Sequence, residues 1–222
     1  MLPHSPPAPP PGFRAVRHGE TDLVDRPPRG FRAAPHGETD LVDPPPLGFR
    51  AVRHGEPDLV DPPTVGFRAV GRGETDVVDR VFAGLSAQSR YQRFHGPKPR
   101  LSDSERAYLS AVDGRDHLAV VALAPDGAPL GLARCIRLRD EPETADLAAE
   151  VVDAHQRQGI GTALVARLAR RAASAGIERL SATVLAETGL QRSLLQRGWR
   201  VSAADGPALT LEASVWTLLR AA

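Results

Sequence analysis

The stretch D-L-A-A-E-V-V-D-A-H-Q-R-Q-G-I-G-T-A-L, Asp146 to Leu164, decides how this chain is read. Its first part is an apolar strand ending at Val151-Val152. Its last part opens an amphipathic helix on which Ile160, Leu164 and Leu168 recur at the spacing of one buried face, with Arg167, Arg170 and Arg171 elsewhere. Between them lies Gln156-Arg157-Gln158-Gly159-Ile160-Gly161. Glycines in a first turn let backbone amides approach a ligand with no Cβ in the way. Those amides have no preceding carbonyls to bond, and the helix dipole adds partial positive charge. The segment therefore predicts a site for a diphosphate-sized anion. It lacks the third glycine of a dinucleotide fingerprint and sits mid-domain rather than on the first strand, which argues against a Rossmann domain.

Working outward, the pattern is regular from Gly66 onward. A strand is expected over Gly66–Val70 and a helix from Thr75 to Leu85, with Val77, Val78, Val81, Phe82 and Leu85 three and four apart. Ser86 opens a second short helix. Ser102 with Glu105 is a capping-box signature for a third, to about Val112. Strands over His117–Ala124 and Leu130–Leu138 flank the turn Pro125-Asp126-Gly127. After the strand Ala145–Val152 and the helix Gly159–Ala175 come a strand at Leu180–Leu185 and a helix to Arg197. Strands at Trp199–Val201 and Ala208–Ala213 close the sheet, giving a domain over residues 66–215 and a tail over 216–222.

The run Q-R-Q-G-I-G-T-A-L behind a V-V-D strand end resembles the Q/R-x-x-G-x-G/A acyl-CoA motif of the GNAT N-acetyltransferase superfamily. The order of strands and helices from Gly66 to Ala213 is similar to that fold as well. The segment S-A-Q-S-R-Y-Q-R-F, Ser86 to Phe94, resembles one in bacterial GNAT domains related to the protein-lysine acetyltransferases. The resemblance implies an α/β fold with a mixed, mostly antiparallel sheet splayed open between the strands at Ala145–Val152 and Leu180–Leu185. It implies acetyl-CoA in that cleft as co-substrate, its pantetheine pairing with backbone at Val151 and Val152. Gln156 opens the motif, and the diphosphate takes amides from Arg157, Gln158, Gly159, Ile160, Gly161 and Thr162. It implies direct attack by an amine on the thioester, with no covalent enzyme intermediate.

A lysine-like amine has a pKa of about 10.4 and must lose a proton to attack. Asp146 and Glu150, four apart on one strand, share a face. The resemblance favours Asp146 as base, since related enzymes often carry a glutamate there; Glu150 is the other candidate, and a pair of solvated sheet-face carboxylates is the alternative to both. Many relatives supply a tyrosine acid from the helix after the fifth strand, but here Leu194 stands near that position, with Thr188 where an asparagine is common and Ser193 a weak substitute. Tyr91, Arg93 and His95 are candidates for the acceptor side. His155 reads as a loop spacer beside the anion motif. Cys135, set in L-A-R-C-I-R-L, reads as a packed core thiol. Protein lysine, a protein N-terminus, a polyamine and a drug amine are all compatible acceptors. A non-catalytic CoA-binding module is the alternative function.

The net charge of +1 gives no argument for a nucleic-acid partner, and one cysteine excludes an intramolecular disulfide and a cysteine-built metal site. No run reaches the ~18–20 apolar residues of a membrane span, so a cytoplasmic enzyme is the expectation. Residues 1–65 repeat with a period of 18 from Gly12, Gly30, Gly48 and Gly66. The first three copies end in proline runs and offer little to bury, so residues 1–65 read as disordered, with a repeat-based interaction role as a third possibility for the chain. V-R-H-G-E-T, Val16 to Thr21, resembles a histidine-phosphatase motif, but the copy at Gly71-Arg72-Gly73 loses the histidine and no room remains for that domain.

Overall fold

A computed structural model describes residues 65–186 and 188–220; the three upstream repeat copies lie outside the described residues. The fourth copy becomes the edge strand β1 (Gly66–Ala69) and the helix α1 (Thr75–Ala83). Arg68 and Glu74 of that copy pair at 2.7 Å, joining strand to helix. The helix stops two residues short of the expected Leu85. Its cap, Gly84, packs so closely on Val152 that an added Cβ would lie 2.7 Å from Val152 Cγ1. Ser86 then caps α2 (Ala87–Phe94) by accepting from the Ser89 amide. In α3 (Asp103–Leu109) the expected capping box is present: Ser102 Oγ accepts from Glu105 N–H, and Glu105 accepts from Ser102 N–H at 2.8 Å.

The middle of the chain forms β2 (His117–Leu123), β3 (Pro129–Arg137) and β4 (Thr144–Val151). In the turn between β2 and β3, Gly127 adopts φ +81°, a left-handed conformation that glycine takes without strain. Then come α4 (Ile160–Ser174), β5 (Arg179–Leu185), α5 (Gly189–Gln196), β6 (Arg200–Asp205), β7 (Ala208–Ser214) and α6 (Val215–Arg220). These make a seven-stranded sheet in the order β1-β2-β3-β4-β5-β7-β6, antiparallel throughout except for β4 with β5. A parallel neighbour needs a crossover, and α4 provides it.

Alternation along the strands divides the core between the two faces. Leu118, Ala133, Cys135, Ala145, Leu147 and Leu180 pack with Leu164 and Leu168 of α4. Val121 and Leu132 pack with Val77 and Val81 of α1 and Leu109 of α3. Residues 216–220 of the segment expected as a tail lie in α6, whose Val215 and Leu218 are buried in the α4-side core.

Candidate functional site: the open seam between β4 and β5

Residues of β4 and β5 pair at only three positions, ending with Asp146 opposite Ser181. Both strands continue, to Val151 and Leu185, without pairing, so the sheet opens there into a cleft. Backbone groups alternate sides along a strand. Thr144 and Val152 bond toward β3, through Leu138 N–H to Thr144 O and Val152 N–H to Leu130 O, both 2.9 Å. By that parity the backbone of Ala149 and Val151 turns to the open side. Val152, also expected to hold the pantetheine arm, has its amide on Leu130 and its carbonyl on His155 N–H.

Past β4 a 3-10 turn, Asp153–His155, leads into the glycine motif. Arg157 and Gly159 are both left-handed, with φ +61° and +80°. The first α4 hydrogen bond comes from Ala163 N–H to Gly159 O at 3.0 Å. The amides of Ile160, Gly161 and Thr162 thus precede the ladder at the positive end of the dipole. Gly161 sits over Val151, whose Cγ2 would lie 3.6 Å from a Cβ added at the glycine. The Ile160 side chain is buried in the core, so only its amide is on offer to a ligand. Gln156, exposed at the surface, bridges three elements: its Nε2 donates to Val151 O at 3.0 Å, Asp153 Oδ1 at 3.1 Å and Ser89 Oγ at 3.3 Å, tying β4, the turn and α2 together.

On the face covered by α2, Glu150 and Asp146 meet different neighbours. Glu150 accepts from Arg93 Nε at 2.8 Å and Arg134 at 3.1 Å. Arg134, 2% exposed, also donates to Leu109 O at 2.9 Å, fixing the end of α3. Burial works to raise the pKa of Glu150, but the charges and hydrogen bonds of the two arginines override it and hold the carboxyl below its ordinary value. Asp146 is reached by water on its open side and packed round by protein elsewhere. That burial pushes its carboxyl from 3.8 up to about 6, with the Arg93 charge pulling the other way. Tyr108 of α3 has its phenol raised by burial first and then by the negative charge of Asp146. His95, left-handed at the end of α2, reaches the Thr183 carbonyl on β5; burial and then Arg93 lower its pKa. The end of α2 therefore touches both lips of the cleft.

Arg134 and Tyr108 are site residues that the sequence reading passed over. Arg134 left a signal, a charge at an inward position of an otherwise apolar strand. Tyr91 is 44% exposed on α2. Leu194 packs against the α4-side core, and Thr188 spends its hydroxyl on Leu185 O at 2.8 Å. Cys135 is fully buried, its thiol pushed up to about 12 by burial, as a core residue should be. Among the described residues no cluster of His, Cys, Asp and Glu could hold a metal ion, and no helix is long and apolar enough to cross a membrane.

The model of the Acetyltransferase (GNAT) family matches residues 84–198, more than half of the chain and all of the seam. The chain belongs to the GNAT family. Solved GNAT structures agree with the fold. The GNAT domain of S. lividans PAT is 25% identical, with 67% of this chain and 89% of that one covered and a TM-score of 0.62. A GCN5-related N-acetyltransferase from Kribbella flavida is 18% identical over 68% of this chain and 97% of that one, TM-score 0.56. An N-acetyltransferase from Staphylococcus aureus Mu50 is 17% identical over 68% and 99%, TM-score 0.54. The GNAT fold binds acyl-CoA and supports acyl transfer generally.

Proposed function

We propose that this GNAT domain, residues 66–220, transfers an acetyl group from acetyl-CoA to an amine by direct attack, in the cytoplasm. The amides of Arg157 through Thr162 hold the diphosphate, and the amide of Val151, a residue whose carbonyl is taken by Gln156, pairs with the pantetheine arm. Asp146 is the base. The observation that carries this is the contrast between the two carboxylates: Glu150 is locked ionised between two arginines, while Asp146 stands at the last paired residue before the cleft with a pKa of about 6. A carboxylate ionised at neutral pH but more basic than usual is suited to take a proton, and such a base contributes on the order of 10²–10⁴ in rate.

In the step, the amine nitrogen forms a bond to the acetyl carbon as the C–S bond breaks. The amine proton passes to Asp146, directly or through a water, and the sulfur leaves as CoA thiolate, which takes a proton from solvent. The likeness to the S. lividans PAT domain and the Ser86–Phe94 segment both favour a protein lysine as acceptor over a small-molecule amine.

The test compares two near-isosteric variants. Asp146→Asn should lower kcat/KM at least about tenfold near neutral pH with acetyl-CoA affinity unchanged. A larger loss in Glu150→Gln than in Asp146→Asn, with the fold retained in both, would move the base to Glu150.

A further inference from the structure

Between the C-terminal end of α4 and the turn that precedes β2 lies an open cleft of about 530 Å³. Arg170, Arg171 and Ser174 line it from the helix, Gly114 and Arg115 from the turn, and Leu118 from β2. Its volume falls in the roughly 300–1,000 Å³ range of small-molecule sites. Both walls are fixed. Arg137 Nη2 donates to Ala175 O at 2.7 Å and to Arg115 O at 3.4 Å, and its Nε to Asp116 Oδ1 at 2.8 Å, stapling helix end to turn. Asp113 Oδ1 accepts the amides of Arg115, Asp116 and His117 at 2.8, 2.8 and 2.9 Å. The two acids flanking the turn are therefore engaged with backbone and with Arg137. Arg167, one turn back on α4, is engaged too: its guanidinium carbon lies 3.7 Å from the centre of the Phe67 ring. Among the described residues the guanidiniums of Arg115, Arg170 and Arg171 form no ion pair. A helix C-terminus favours basic residues for its dipole, which accounts for Arg170 and Arg171. It does not account for Arg115, brought to the same cleft from the turn before β2.

We propose that this cleft is a second anion site, for a small molecule carrying two or more phosphate groups. A guanidinium presents a planar fork of donors that matches phosphate oxygens two at a time. Like charges gathered in one cleft raise each other's energy, and a multiply charged anion relieves that. Ser174 Oγ, now on Arg170 O at 3.1 Å, adds a donor once turned to the ligand. The lining holds no aromatic ring to stack a base and no carboxylate to bind a cation, so charge is what it reads. A concave site walled on two sides suits a small molecule better than the surface of an acidic protein. The cleft is separate from the diphosphate site proposed above and does not rest on it. Arg170 is nine residues beyond Gly161, about 14 Å along the same helix. The carbonyls at this end of the helix repel anions, so binding stands on the guanidiniums and should go with them.

The experiment titrates pyrophosphate by calorimetry, at fixed ionic strength, into the full chain as wild type and as Gly161→Glu, with melting curves to confirm each fold. Gly161→Glu closes the first turn of α4 to anions, so saturable binding that remains in it belongs to the cleft. Adding Arg170→Gln and Arg171→Gln to that variant should weaken the remaining binding at least about tenfold. Adding Arg72→Gln and Arg80→Gln instead removes the same charge from exposed positions of the fourth repeat copy, and should change it less than about twofold. Arg115→Gln, on the opposite wall, should weaken it as well, and carries the test if the helix pair disturbs the fold. Acetyl-CoA affinity should stay unchanged when the cleft arginines are replaced in an otherwise wild-type chain. The absence of saturable binding in Gly161→Glu would overturn the proposal, as would equal losses from the two arginine pairs. Tighter binding of a glutamate-rich peptide than of pyrophosphate would overturn it too, by making the cleft a contact for acidic protein.

Discussion

Asp146 and Glu150 lie on one face of β4, and their neighbours push them in opposite directions. That they share a face was legible from the even spacing along an expected strand. The partners of Glu150 were not: Arg134, 16 residues away, arrives through the β3–β4 register, and Arg93, 57 away, only through the folding of α2 across the sheet. The raised pKa of Asp146 has a consequence for stability. With a folded value of about 6 against 3.8, the folded state binds this proton more tightly, so stability falls as pH rises from 3.8 toward 6 and stays lower above it. Asn at this position carries no such cost. Asp146→Asn should thus melt higher than wild type at about pH 7.5, and the gain should vanish near about pH 4, a trade of stability for function. A lower melting temperature at neutral pH would show that the carboxylate is not held against its preference.

At the scale of elements, the strand–turn–helix unit from β4 to α4 was the most legible part of the chain. Its alternation, paired glycines and helical spacing of Ile160, Leu164 and Leu168 each depend on local physics. Less legible was α6, since V-W-T-L-L-R is too short for a period to declare itself, and it is helical because Val215 and Leu218 reach the core beside α4. The site expectation at this scale concerned backbone, and the hydrogen bonds of Val152 and Gln156 depend on β3 and α2, which no local pattern announces. Gly161 gives the direct test of the anion site. A Cβ there meets Val151 only in ordinary contact at 3.6 Å, so Gly161→Glu is sterically tolerable. Its carboxylate would stand where the diphosphate belongs. Calorimetry should show acetyl-CoA affinity reduced at least about tenfold, with unchanged circular dichroism. Unchanged affinity would remove the first turn of α4 from the site.

For the whole molecule, the succession of elements up to β7 was readable, because most of them begin or end near a glycine, proline or cap. The insertion of β7 between β5 and β6 was not, since antiparallel pairing of closing strands satisfies the same pattern in either order. The sheet is built so that its parallel pair lies near the middle, with one core under α4 spanning that pair and a second packing α1 and α3 on β2 and β3. The α4-side core, through Ala145 and Leu147 of β4 and Leu180 of β5, holds the two strands together at one end, while their other ends stay unpaired with each other. The account stands on that opening being a place of acetyl transfer rather than of binding alone. The most direct measurement is CoA release by the full chain in acetyl-CoA with a panel of amines, including lysine-bearing proteins, with mass spectrometry of the acceptors. The account predicts amine-dependent CoA release matched mole for mole by N-acetylated product. Tight acetyl-CoA binding without amine-dependent release across the panel would contradict it and leave a CoA-binding module in its place.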